Sequence, residues 1–448
     1  MMRYVSTRAL AHAEATPIAV GLSDALNAGL APDGGLYVPQ SLPHFAPQDF
    51  AGATTLPAIA KILLQPFFAG DALESELAAI CDQAFTFAAP LKRLPLAQTY
   101  ALELFHGPTA AFKDFGARFL AACLQRIQRD DARVLTILVA TSGDTGSAVA
   151  AAFHNVPGIR VVILYPDGLV SPRQAHQLGC FGDNISALRV AGTFDDCQRM
   201  VKQAFTDTTL RELLPLSSAN SISLGRLLPQ MSYYAWAALS HWREHNSPLN
   251  FVVPTGNLGN AMAALLARAI GLPLGEIVLA TNANRTLPDF FDNGEYRARP
   301  SIATIANAMD VGDPSNYERL RWLFPDTNSL QKTLRAIAVD DATIRTTIAA
   351  GEKRYGEIWC PHTAVATHVL EQLRAENTQG DWAIVATAHP AKFDTVVEPL
   401  IGHAVAVPPA LAALLARPAH AEPMHAEYAQ LREWLLQRRD PHADAPTD

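Results

Sequence analysis

The stretch Arg133-Val-Leu-Thr-Ile-Leu-Val-Ala-Thr-Ser-Gly-Asp-Thr-Gly-Ser-Ala-Val-Ala-Ala-Ala-Phe153 decides the fold class. Arg133 to Ala140 is an apolar run of the length expected for a strand buried on both faces. Thr141 to Ser147 is a turn of small residues with two glycines, and Ala148 to Phe153 opens a helix. The same order recurs downstream: an apolar run Leu249 to Val253, a turn Pro254-Thr-Gly-Asn-Leu-Gly-Asn260, and a helix from Ala261.

Arg160 to Tyr165 and Ile185 to Val190 lie between these two units and read as further strands. A helix starting at Ser171-Pro-Arg-Gln separates them, with Pro172 suited to the first helical position. Asp195 to Phe205 reads as another helix, whose two leading acids favour its positive end. Short apolar strands are also expected near Tyr100 to Phe105, at Ile277 to Ala280 and at Trp382 to Ala386. Strands alternating with helices predict an α/β fold with largely parallel sheets. The first eighty or so residues form a separate unit: Ala31 to Gln40 is a turn-rich loop entering a short strand, and Asp71 to Ala84 carries Leu73, Leu77 and Ile80 at helical spacing. At the other end, a helix around Tyr428 to Leu436 precedes a polar tail expected to fray.

The 448 residues suffice for two or three domains. With 49% hydrophobic and 17% charged residues the chain reads as globular. A net charge of −8 argues against a nucleic-acid binder, because neutralising phosphates takes a basic surface. It leaves room for a small anionic substrate in a local pocket of opposite sign. The five cysteines (Cys81, Cys123, Cys180, Cys197, Cys360) show no paired spacing, so reduced thiols in a cytoplasmic protein are expected. The N-terminus lacks the apolar core of a signal peptide, and no run reaches the roughly 20 apolar residues of a membrane span.

A second stretch carries chemistry: Leu104-Phe-His-Gly-Pro-Thr-Ala-Ala-Phe-Lys-Asp-Phe-Gly-Ala-Arg-Phe119. Lys113 stands between aromatic residues at the start of a helix-like run, Phe115 to Ile127. A helix N-terminus disfavours added positive charge and aromatic neighbours desolvate it, so its pKa should fall toward neutrality, as a nucleophilic or Schiff-base lysine requires. A surface lysine paired with Asp114 in a first helical turn explains the same letters equally well.

The two glycine turns share the pattern Ser/Thr-Gly-Asp/Asn-x-Gly-x-Ala, at Ser142 to Ala148 and Thr255 to Ala261. Such turns bring backbone N–H groups at a helix start close to an anion, although a tight strand-to-helix turn needs no ligand. Together with Lys113 they are consistent with a phosphate-bearing cofactor and an anionic substrate group. Neither turn is a Walker A or a dinucleotide motif, and Ser142 lacks the surroundings of a hydrolase nucleophile. His106, His362 and His389 are far apart without HExxH, so no metal is expected. Asn220, Ser221 and Arg226 place small polar groups beside a fork-shaped cation suited to phosphate, while Arg226 could equally be a surface charge.

His106-Gly-Pro-Thr-Ala-Ala-Phe-Lys-Asp-Phe-Gly116 strongly resembles the cofactor-lysine motif of the threonine synthases, in the fold-type-II family of pyridoxal-phosphate enzymes. The likeness extends through Ala140-Thr-Ser-Gly-Asp-Thr-Gly146, Gly192-Thr-Phe-Asp-Asp-Cys-Gln198, Asn220-Ser-Ile222, Pro254-Thr-Gly-Asn-Leu-Gly259 and Thr387-Ala-His-Pro-Ala-Lys-Phe393. Asp33-Gly-Gly-Leu-Tyr-Val-Pro39 is similar to the longer, microbial-type branch. The resemblance implies two α/β domains of open twisted sheets plus an N-terminal extension. Residues 1–85 would be that extension and 86–410 the catalytic core, with a smaller mobile lobe at roughly 115–215 inserted in it; 411–448 would be a C-terminal helix and tail.

The resemblance also implies roles. Lys113 would carry pyridoxal 5'-phosphate as a Schiff base and move protons. Gly256, Asn257, Leu258, Gly259 and Asn260 would hold the cofactor phosphate, and Thr387 the pyridine nitrogen. Ser142, Asp144 and Thr145 would form the loop meeting the substrate carboxylate and the cofactor's 3′-oxygen side, although many relatives have Asn where Asp144 stands. Asn220, Ser221 and Arg226 would bind the phosphate of O-phospho-L-homoserine. The implied reaction yields L-threonine and phosphate in a cytoplasmic monomer or homodimer, with no nucleic-acid or membrane partner. The competing readings are a related phospholyase releasing phosphate and 2-oxobutanoate, and a non-catalytic binding protein on the same scaffold.

Overall fold

The computed structural model describes residues 1–9, 18–131 and 133–438, so the expected polar tail lies mostly outside the described residues. Two strands, β1 (Tyr4–Ser6) and β2 (Tyr37–Pro39), pair antiparallel in the N-terminal unit. Tyr4, Phe50, Ile59, Leu63, Phe67 and Phe68 bury their side chains there, packing the helix Leu56–Phe68 onto the rest of the core.

The next strands are β3 (Leu91–Arg93), β4 (Thr99–Glu103), β5 (Leu135–Ala140), β6 (Ile159–Pro166), β7 (Ile185–Ala191) and β8 (Leu216–Ser218). After them come β9 (Leu249–Pro254), β10 (Leu274–Thr281), β11 (Arg335–Ala338), β12 (Trp382–Ala386) and β13 (Glu422–His425). They form two sheets. The larger runs β11-β10-β9-β12-β4-β3 and is parallel except at the β3–β4 edge. The smaller runs β13-β7-β6-β5-β8 and is parallel throughout. All residues of β5 and of β12 are buried, as strands covered by helices on both faces must be.

Three sequence expectations change at this level. The helices after the two glycine turns begin earlier than their apolar runs suggested, at Asp144 and at Gly259. Between Asp71 and Ala84 a 3₁₀ turn, Glu74–Glu76, precedes the helix Leu77–Ala84. Residues 422–425 form a strand that had no counterpart in the sequence reading, pairing Glu422 with Leu188 and His425 with Ala191. The helix Tyr428–Gln437 stands where it was expected.

In a parallel sheet the strand ends carrying the βα turns all point the same way, and ligands gather where those ends meet. Here the turns after β5, β9 and β12 open toward one another, and the N-terminus of the helix Lys113–Ile127 reaches the same space. Among the described residues no helix is long and apolar enough to cross a membrane.

Candidate active site

The lysine segment is fastened to the end of β12 by backbone bonds. Leu104 donates to Ala386, Phe112 to Thr387 and His389 to Ala110, at 2.9, 2.8 and 3.0 Å. This pairing puts Lys113, the first residue of its helix, beside Thr387 in one cavity. Asp114 does not pair with Lys113. It is buried and accepts from Thr109 N and Thr109 Oγ1 at 2.9 and 2.7 Å, closing the turn ahead of the lysine. Lys113 Nζ lies 5.7 Å from the Phe112 ring centre. Burial, assisted by the Arg226 and Lys392 cations and opposed by Asp144, brings its amine down to about 8. A minor neutral fraction, far larger than that of an ordinary lysine, therefore exists near neutral pH.

The candidate site residues named from the motifs line this cavity together: Lys113, Ser142, Asp144, Thr145, Asn220, Ser221, Arg226, Gly256 through Asn260, and Thr387. Their surroundings sort them. Asp144 is buried and forms an ion pair with Lys392 Nζ at 2.7 Å, also accepting from Gln174 Nε2 at 2.9 Å. Burial pushes the Asp144 carboxyl up, but Lys392, Lys113 and His362 outweigh it and hold it well below the usual carboxylate range. Thr141 Oγ1 accepts from Gly143 and Gly146 N at 3.0 and 2.9 Å and so shapes the turn that displays Ser142 and Thr145.

Arg226 is 2% exposed, far from the surface charge its sequence context allowed. Its Nη1 donates to Ala219 O at 2.5 Å, while Nε has no partner among the described residues. Burial pushes this guanidinium down to about 10. It packs against the helix Lys113–Ile127 at Gly116, where an added Cβ would stand 2.7 Å from Arg226 O and 3.0 Å from Nε. A buried cation without a carboxylate is costly unless an anion joins it.

Asn220 donates through Nδ2 to Ala140 O at 3.1 Å, and among the described residues its Oδ1 has no partner. Ser221 Oγ accepts from Asn257 Nδ2 at 2.5 Å, joining the two phosphate-type loops. Leu258 takes a left-handed backbone (φ 62°) immediately before the helix Gly259–Ala269, an uncommon conformation for a branched side chain that concentrates at ligand sites. Asn260 accepts from the Tyr233 and Tyr234 hydroxyls at 2.5 and 2.9 Å, leaving its Nδ2 without a partner among the described residues.

Sequence reasoning missed Lys392 and His362 at this wall. Lys392 is fully buried, and Nζ also donates to Thr109 O at 2.8 Å. Its signal was a lysine within the tight turn Pro390–Phe393 directly after a buried strand. His362, set aside in the sequence as one of three separated histidines, lines the cavity and accepts from Ala308 N at 3.1 Å through Nε2. Burial lowers it to about 4, so it is neutral.

A sequence profile described as "Pyridoxal-phosphate dependent enzyme" matches residues 87–390, one described as "Threonine synthase N terminus" residues 3–85, and one described as "Threonine synthase, C-terminal" residues 363–435. The threonine synthase of Haemophilus influenzae is 40% identical over 93% of this chain and 97% of its own length. The chain belongs to the threonine synthase family. Two solved threonine synthases agree in shape. That of Escherichia coli has a TM-score of 0.89 at 37% identity, covering 98% of this chain and all of its own (100%). A pyridoxal-phosphate-bound one from Brucella melitensis has 0.87 at 33%, covering 99% of this chain and 100% of its own. The fold is that of the fold-type-II pyridoxal-phosphate enzymes, the cofactor is pyridoxal phosphate, and the activity is that of a lyase in threonine biosynthesis.

The residues present fit this cofactor. The free Asn260 Nδ2 and the N-terminus of the helix Gly259–Ala269 supply donors for a phosphate, and an amine with a lowered pKa stands ready for an aldehyde.

Proposed function

We propose that the chain acts on O-phospho-L-homoserine and water, releasing L-threonine and phosphate. The observation that carries the substrate is Arg226, a buried cation with an unpartnered Nε in the same cavity as Lys113. The start of the helix Gly259–Ala269 already offers a seat for the cofactor phosphate, so Arg226 is left for a second anion that arrives with the substrate.

When bound, the cofactor supplies a conjugated electron sink for the carbanion character that develops at the substrate. Gly256 to Asn260 hold its phosphate and Thr387 its ring nitrogen. Ser142 and Thr145, at the N-terminus of the helix Asp144–Phe153, bind the substrate carboxylate through hydroxyls and backbone N–H groups. Arg226 Nε, Ser221 Oγ and the second Nδ2 hydrogen of Asn220 bind the leaving phosphate and stabilise the charge it gains. Lys113 Nζ, as the neutral amine, would move one proton at a time: over the cycle Cα and Cβ each give one up, Cγ and Cα each receive one, and water supplies the hydroxyl that enters at Cβ while its remaining proton leaves with the phosphate from Cγ. An amine near the working pH suits repeated transfer in both directions. Asp144 is not a substrate ligand in this reading, because Lys392 and Gln174 already occupy it. The five free, buried cysteines suit a reducing compartment; we assign the enzyme to the cytoplasm, as a monomer or homodimer.

The test is a paired assay of phosphate, threonine and 2-oxobutanoate on wild type, Lys113→Ala and Arg226→Met. Wild type is expected to give phosphate and threonine in equal amounts. Lys113→Ala should lose at least about 10³-fold in kcat together with the visible absorbance of the lysine-bound cofactor, and Arg226→Met should raise KM most. Phosphate with ketoacid and no threonine would sink the proposal.

A further inference from the structure

Arg319 is 1% exposed and lies in the helix Tyr317–Leu323, outside the sequence of every motif described above. Among the described residues it makes no ion pair. Its neighbour Glu318 turns instead to Thr7 Oγ1 at 2.7 Å and to Arg8 Nη2 at 2.9 Å, at the rim of the N-terminal unit. The guanidinium spends its donors on carbonyl oxygens. Nε and Nη2 reach Tyr37 O at 3.2 and 3.0 Å, Nη2 also reaches Ile222 O at 2.7 Å, and Nη1 reaches Asn316 Oδ1 at 2.8 Å.

Asn316, fully buried, relays the arrangement. Its Nδ2 donates to Asn257 O at 2.9 Å and to Ser221 O at 3.2 Å. Next to it Ser315 N donates to Asn257 Oδ1 at 2.5 Å. One planar cation thus ties together three stretches remote in sequence: β2 of the N-terminal unit, the 220–222 loop, and the turn after β9. A fork with fixed donor angles locks relative position in a way a flexible ammonium does not. Desolvating such a cation for carbonyl partners alone is a poor way to gain stability, which points to geometry as its use.

We propose that Arg319 and Asn316 are positioning residues that set the 220–222 and 256–259 loops at the spacing two phosphates require, with the Tyr37 carbonyl as their fixed reference. The N-terminal unit then serves phosphate recognition without touching the ligand. This rests on the reading that these loops hold the cofactor and substrate phosphates.

The experiment compares wild type with Arg319→Lys, which keeps charge and loses the fork, and with Asn316→Ala, which spares the Tyr37 and Ile222 contacts. Arg8→Ala, which breaks the rim contacts to Glu318 and to the Asp33 carbonyl but none made by Arg319 or Asn316, is the control. Four quantities are read on holoenzyme: KM and kcat for O-phospho-L-homoserine, the inhibition constant of inorganic phosphate, the cofactor lost on dilution, and the spectral titration by L-threonine, which carries no phosphate. In both variants KM, the phosphate constant and cofactor dissociation should each rise about tenfold, as expected for one or two lost hydrogen bonds. The fall in kcat should be smaller, and L-threonine affinity and the Arg8→Ala enzyme should stay at wild-type values. Unchanged phosphate constants overturn the proposal. A parallel loss of L-threonine affinity, or the same shifts in Arg8→Ala, does so too, because either means general loosening. If wild type does not turn over O-phospho-L-homoserine, the substrate assignment fails by itself, and cofactor retention together with phosphate affinity read by spectral titration of the holoenzyme still decides the roles of Arg319 and Asn316.

Discussion

Lys113 shares its cavity with charges of both signs, and each bears on its proton. Asp144 favours the ammonium, whereas burial, Arg226 and Lys392 favour the amine. Lys392→Met removes a repelling cation and at the same time frees the Asp144 carboxylate from its 2.7 Å partner. Both changes raise the Lys113 pKa above about 8. The base proposed above works as the neutral amine, so on that proposal the acidic limb of the kcat profile should move to higher pH by about one unit or more. Stability should also fall, by about 3–5 kcal/mol at pH 7, since a buried carboxylate loses its counter-charge. The sign follows from Asp144. A carboxyl held below its unfolded value contributes stability above that value and loses it as pH drops through the folded one. Adding Asp144→Asn to Lys392→Met should restore part of the urea midpoint; no recovery would mean that the pair is not what Lys392 maintains. Aromatic neighbours and a helix start, both local features, singled out Lys113 but fitted a surface lysine equally well, and the motif resemblance favoured the cofactor lysine. Lys392 was not legible, because its partner lies across the cavity on the other sheet's turn.

The two turns that feed helices at the site show where local reading stops. Apolar periodicity placed the helix starts at Ala148 and Ala261, but the chain coils from Asp144 and Gly259. Glycine and aspartate are poor helix formers in isolation. Here the first turn is fixed by the strand end before it, and an acid at the positive end of the helix is favourable. The consequence is functional, since the extra turn brings Asp144 and Thr145 into the helix N-terminus that faces the cavity. At the second turn, Gly256 packs so closely that a Cβ would lie 2.7 Å from Met309 Cα. Backbone cannot yield as a flexible side chain does, so Gly256→Ala should displace the turn or the 307–309 segment. We expect cofactor affinity to weaken at least about tenfold for a stability cost of about 1–3 kcal/mol. Cofactor titration beside urea unfolding separates the two, and normal affinity would show that the turn tolerates the shift. Strand β13 escaped the sequence reading because four residues, Glu-Pro-Met-His, carry little strand propensity. Pairing with β7 supplies what propensity lacks.

The C-terminal segment completes the smaller sheet. Met424, Leu431, Trp434 and Leu435 bury into the core that β6, β7 and the helix Phe194–Thr206 share. Trp434 Nε1 donates to Glu422 Oε2 at 2.9 Å, and the Arg438 guanidinium lies 4.3 Å from the Trp434 ring centre. Trp434→Ala should therefore cost about 3–5 kcal/mol and expose the β7 edge to exchange. Hydrogen-exchange protection lost in β7 but kept in β9 and β10 is the expected pattern; uniform loss would show that the two sheets unfold as one. The alternation of strands and helices across the chain announced the α/β class, but neither sheet's strand order could be read from it. In the larger sheet β12, late in sequence, lies between β9 and β4. That placement has a bearing on synthesis. Until residues 382–386 leave the ribosome, β4 and β9 each present an open edge in the middle of an unfinished sheet, and such edges invite pairing with other chains. The wall holding Thr387 beside Lys113 does not exist before that moment. Cofactor capture is therefore a late event in the life of the nascent chain, and truncated products ending before β12 should be found with chaperones rather than with pyridoxal phosphate.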